Sequence, residues 1–137
     1  DIFTNDLLSN IDVMHQQGIN VQQSKYFLPP YEWYNQSITS WTNDLGLQLI
    51  NYTSGTKSAA DYTWPDLKNY QSSDAIYQSI ISYEKNHAGG LNGFILLLHV
   101  GTDARRTDKF YKLLPKLLTD LKSKGYKFRK TDELLQQ

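Results

Sequence analysis

Asn92-Gly93-Phe94-Ile95-Leu96-Leu97-Leu98-His99-Val100-Gly101 is the stretch on which the reading of this fold turns. An aliphatic and aromatic run, Phe94 to Leu98, leads into a histidine, and Gly101 follows soon after. Strands that are covered on both faces have continuous apolar runs, because neither face meets water. The run therefore predicts a central strand, with His99 at its end. In α/β proteins chemistry gathers where such strands end. An imidazole there is placed to move a proton near neutral pH, or else to be satisfied by backbone hydrogen bonds.

Outward from that strand, helical and strand patterns alternate. Leu7, Leu8, Ile11 and Met14 recur at helical spacing, predicting a helix over about 5–17 that stops at Gly18. Tyr26-Phe27-Leu28 predicts a short strand, broken by Pro29-Pro30. A second helix is expected over 37–44 and a second strand over 47–51. A polar stretch follows from Tyr52 to Gln71, and a loop of that length is usually functional or mobile. Ser72 or Ser73 is suited to cap a helix in which Ile76, Ile80 and Tyr83 share a face. After the His99 strand, a stripe from Phe110 to Leu121 predicts a helix that Pro115 kinks or splits and Gly125 closes. Tyr126-Lys127-Phe128 predicts a last strand, and residues 131–135 a terminal helix. This order predicts an α/β fold with parallel strands and helical crossovers. Four short strands leave edges to be covered, so the chain is expected to be part of a larger barrel.

The chain has 137 residues, enough for a single domain over 1–137. Lys and Arg number 14 and so do Asp and Glu, which disfavours a nucleic-acid partner held by phosphate contacts. No apolar run is long enough to span a membrane. Cysteine is absent, excluding disulfides and thiolate ligands. The chain opens on Asp1 without a methionine, as expected of a trimmed or mature product. Tyrosine and tryptophan are abundant, and flat aromatic faces suit sugar rings as well as a core.

Three segments together resemble polysaccharide deacetylases, the NodB-like family also called carbohydrate esterase family 4. Lys25 to Asn35, with its Pro29-Pro30-Tyr31 centre, is similar to the family's third motif. Asp61-Tyr62-Thr63-Trp64 falls where its fourth motif lies, and Ile95 to His99 matches its fifth. The tail from Asp108 through Leu135 also follows the family, so the resemblance covers nearly the whole chain. It implies the C-terminal part of a distorted (β/α) barrel, and removal of acetyl groups from a polysaccharide. By the same resemblance His99 is the general acid and Asp61 orients it, while the Tyr31 backbone N–H holds the oxyanion behind rigid prolines. Leu97 would line the acetyl pocket, and Trp33, Trp64 and Pro30 would contact sugar. Trp41 is expected to be buried on a helix face.

The family's paired aspartates and its His-x-x-x-His motif do not occur. His15, His87 and His99 are the only histidines. A divalent metal, zinc by preference, is therefore expected in the complete domain on ligands this chain lacks. The missing N-terminal half or a second copy would supply them, and the isolated chain is expected to be inactive. Leu28 replaces the arginine that pairs with the family's catalytic aspartate. Arg105 and Arg106 are read as a solvated loop or as contacts to an anionic sugar. The implied partner is an acetylated polysaccharide or oligosaccharide, and the implied location secreted, periplasmic or cell-surface. The alternative is a non-catalytic carbohydrate-binding or scaffold domain of the same fold.

Overall fold

The computed structural model describes residues 2–20 and 25–135. The chain forms two compact units, Asp1–Asn51 and Tyr52–Gln137.

In the first unit, helix α1 spans Ile2–Gln16 and buries Leu7. Strand β1 (Tyr26–Phe27) and strand β2 (Gln48–Leu49) pair in parallel, Tyr26 opposite Gln48 and Phe27 opposite Leu49. The crossover between them carries helix α2, Gln36–Asp44. Asn35 caps α2 by accepting from the Ile38 N–H at 2.9 Å. The Phe3 ring packs against Phe27 and against Trp41, each with centroids 5.8 Å apart. Trp41 is thus half-buried on its helix face, close to the expectation.

In the second unit, helix α3 spans Ser73–Asn86 and Ser72 caps it, its side chain accepting from the Ala75 N–H. Ile76, Tyr77 and Ile80 of α3 meet Leu91, Phe110, Leu117 and Leu121 in the buried core. Pro115 acts as expected. A single 3-10 turn, Phe110–Lys112, precedes helix α4 (Leu114–Ser123), and Pro115 lies in the first turn of α4, where no backbone donor is needed. Gly125 closes α4 at φ +93°, with its N–H on Lys122 O and the Tyr126 N–H on Leu121 O. This pair of bonds satisfies carbonyls the helix leaves open, and a left-handed residue is needed to make them. Helix α5 spans Thr131–Leu135. No helix among the described residues is long and apolar enough to cross a membrane.

Two expected strands are absent. Residues 94–99 do not join a sheet among the described residues. Phe94, Leu96 and Leu98 pack against the core, so one face is covered, whereas the whole segment is only half-buried. A parallel strand needs a neighbour along its length. Here the contact is at a single point, with the Thr53 N–H on Ile95 O at 2.9 Å and the Ile95 N–H on Thr53 Oγ at 3.0 Å. Tyr126-Lys127-Phe128 is not a strand either. Tyr126 turns inward, its hydroxyl accepting from the Leu91 N–H, and Phe128 is exposed. The four-strand parallel sheet is therefore corrected to one two-stranded parallel sheet among the described residues, in a helix-rich α/β chain.

Candidate functional site

The long polar loop after β2 is held rather than loose. Its 3-10 turn Ser58–Ala60 lies beside α3, where the Lys57 N–H reaches Ser79 Oγ at 3.0 Å. Asp61 caps that turn, its own N–H on Ser58 O. The Thr63 hydroxyl donates to Ala60 O at 2.6 Å and accepts from the Gln71 N–H at 3.2 Å. Ser58, Asp61 and Thr63 are all buried, Asp61 to 1% exposure.

That burial places the Asp61 carboxylate directly against His99. One oxygen accepts from the His99 backbone N–H at 2.7 Å, and the other meets Nδ1 of the ring at 2.6 Å. An ionised carboxylate only accepts, so Nδ1 carries the hydrogen and Nε2 is left to exchange protons. The two bonds fix both the backbone and the ring plane of His99. The ring keeps 34% of its side-chain exposure, so it remains open to solvent. The Tyr62 ring stands edge-on to the imidazole, with centroids 5.4 Å apart. Phe94, Leu96 and Leu98 pack against the core, and Leu97 is half-buried and not among the residues packed there.

Trp64 lies on the same loop, but one face of its ring is taken. The Arg105 guanidinium sits 3.8 Å from its centroid. Arg105 also forks onto Asp103 through Nε (3.0 Å) and Nη2 (2.7 Å), holding that carboxyl well below the usual carboxylate range.

Tyr31, Pro30 and Trp33 belong to the first unit. Pro29 is buried and Pro30 exposed, and a 3-10 turn follows over Pro30–Glu32. Tyr31 and Glu32 adopt φ of +57° and +59°, the left-handed region that non-glycine residues seldom enter. Asn51 braces the turn by donating to Glu32 O at 3.0 Å. No described residue accepts from the Tyr31 N–H, whose side chain is 85% exposed. Trp33 and Leu28 are exposed as well.

The reading of Arg106 as loop or sugar contact is corrected. Arg106 is fully buried. Its Nη1 donates to Thr63 O at 2.6 Å and Gln71 O at 3.0 Å, and its Nη2 to Ser73 Oγ at 3.0 Å. Asp108 stands 3.6 Å from Nε and accepts from the Ser73 N–H at 2.7 Å. Burial acts to raise the Asp108 pKa, but Ser73 and Arg106 outweigh it, and the carboxyl titrates below its ordinary value. Burial and the neighbouring Asp108 push the Tyr70 phenol up.

The other histidines take no part. His15 is exposed, and His87 ends α3, with Nδ1 on Tyr83 O at 2.9 Å and its ring stacked on Tyr83. Among the described residues no group of three His, Cys, Asp or Glu could hold a metal ion. The residues present therefore do not fit the divalent metal that the resemblance implies. Compared with protein-family models and with curated proteins, the chain matches none.

Proposed function

We propose that this chain is the C-terminal part of a NodB-like polysaccharide deacetylase domain, a distorted (β/α) barrel in its complete form. In this reading it serves hydrolysis of acetyl groups from a cell-wall or capsular polysaccharide outside the cytoplasm. The observation that carries the reading is the two-point grip of buried Asp61 on His99.

The reaction adds water to the acetyl carbonyl and then breaks the C–N or C–O bond to the sugar. The departing amine or alkoxide needs a proton. His99, charged and held through Nδ1, gives it from Nε2, and Asp61 stabilises the imidazolium while fixing the ring. The Tyr31 N–H, unclaimed and set by prolines, is assigned to the oxyanion. Leu97 and Pro30 are assigned to the acetyl group and its surroundings, and Trp33 to the sugar. Trp64 could stack on sugar only by the face that Arg105 leaves. The divalent metal and the base that activates the water are assigned to protein outside these residues, the preceding half or a second copy.

The test is acetate release from chitin oligomers or acetylated xylan by the intact gene product. His99→Ala should lower turnover by about 10²- to 10⁴-fold, the usual worth of a general acid, with sugar binding kept. Unchanged turnover would refute the assignment. Release of acetate by the 137-residue chain alone with added metal would refute the claim that it is incomplete.

Leu28 in the arginine's place favours a second reading, a non-catalytic carbohydrate-binding or scaffold domain. Calorimetric sugar binding by an intact protein that releases no acetate would favour it.

A further inference from the structure

We propose that Arg106 is the positioning residue of the Asp61–His99 pair, locking the carboxylate's loop to the imidazole's loop. This inference rests on the reading of that pair as the proton donor, and it adds a residue that the resemblance does not supply.

The argument is one of closure. Arg106 follows His99 on the same connecting segment, and its N–H is bound to Asp103 O at 3.1 Å. Its side chain crosses to the loop of Asp61 and takes the carbonyl of Thr63, two residues beyond the carboxylate. Asp61 meets His99, His99 leads along the chain to Arg106, Arg106 grips Thr63, and Thr63 leads back to Asp61. The guanidinium thus adds a buried fastening close to the pair, beyond the Thr53–Ile95 bonds and the Arg105–Trp64 contact elsewhere along the same two segments.

The second Nη1 bond, to Gln71 O, pins the far end of the same loop, and the bond to Ser73 Oγ anchors both to α3. Three acceptors spread around one planar fork suit arginine, whereas a lysine ammonium meets acceptors around a single point. Burying a cation is costly, and its Nε has no hydrogen-bond partner, although Asp108 is near. Filling the space with an apolar side chain would often be at least as stable. A buried charge that reaches exactly the loop of the dyad is explained by geometry better than by stability. Small misplacements of reacting groups cost rate steeply, so a further fastening close to the pair has a use.

Hydrogen exchange and proton NMR of the full 137-residue chain test this, with Arg106→Lys compared to the core variant Leu117→Ala. Arg106→Lys should expose the His99 amide about tenfold more than the Ile80 and Leu121 amides, roughly the worth of one strong hydrogen bond. It should also broaden or abolish the downfield Nδ1–H line of His99. Leu117→Ala lowers stability from the buried core and should leave that line and that ratio intact. Arg106→Lys that keeps both would overturn the proposal. Should the variant not fold, the wild-type chain decides in mild urea: the amides of Gln71, His99 and Arg106 should open together. His99 opening independently of the other two would overturn it. No readout here involves acetate, so the positioning role and the deacetylase reading fail or survive separately.

Discussion

Replacing Asp61 by asparagine changes almost no volume and removes one charge, so it isolates what the carboxylate does. The carboxylate accepts two hydrogen bonds from His99, one from the main chain at 2.7 Å and one from Nδ1 at 2.6 Å. The main-chain N–H can only donate, so the asparagine oxygen must take it. The asparagine NH2 then faces Nδ1, and two donors would collide. The imidazole can resolve this by carrying its hydrogen on Nε2 instead. Two charge-assisted bonds become two neutral ones, a loss of about 1 kcal/mol each. Asp61→Asn is therefore expected to cost about 2 kcal/mol. With a urea dependence of about 2 kcal/mol per molar, the unfolding midpoint should fall by about 1 M. Asp61→Ala leaves the His99 N–H without its acceptor and should cost about 3–5 kcal/mol, toward the low end because water reaches the ring. The decisive assay is nitrogen NMR of the His99 ring, which distinguishes hydrogen on Nδ1 from hydrogen on Nε2. An asparagine variant with unchanged stability and hydrogen still on Nδ1 would refute the reasoning.

Asp108 titrates below its ordinary value in the folded chain, so its contribution is present above the unfolded carboxylate pKa of about 4 and is lost as pH falls through the folded one. Acid titration of stability should fall below about pH 4, and Asp108→Asn should flatten that fall; an identical slope in the variant would contradict it. Gly90 has φ +54°, and a Cβ there would strike the Tyr126 hydroxyl that accepts the Leu91 N–H. Gly90→Ala should cost about 2–3 kcal/mol in thermal unfolding, from left-handed strain plus that bond, whereas Gly89→Ala, with open space around it, should be nearly neutral. Equal effects at the two glycines would count against this packing.

The helices were legible in the sequence because their signals are local. The apolar face of α3, its serine cap, the proline in the first turn of α4 and the glycine after it each act within a few residues. The apolar run at 94–99 predicts a strand that the structure lacks, because a strand depends on neighbours. The apolar run records that the segment is covered on its core side, and the same composition would serve a paired strand or an unpaired one. Tyr126 shows the same limit. Alternation predicted a strand, but the hydroxyl's bond to Leu91 N and the helix-closing turn at Gly125 decided the local course.

The site divides along a similar line. Asp61 and His99 could be paired in advance only through the family resemblance, since their separation along the chain gives no spatial signal, yet they meet at 2.6 Å. The burial of Arg106 is not legible in the sequence, because a basic pair in a polar loop resembles solvated chain. Its partners are two backbone carbonyls and a serine hydroxyl, and a backbone carbonyl has no residue type by which a sequence could reveal it. The flanking acids were the available hint, and they divide the two arginines between them. Asp103 lies two residues before Arg105 and takes its fork, while Asp108 lies two residues after Arg106, is itself partly exposed, and stands 3.6 Å from the buried Nε. One arginine is thus held outward over Trp64, and the other is left free to turn in and fasten the loop that carries Asp61.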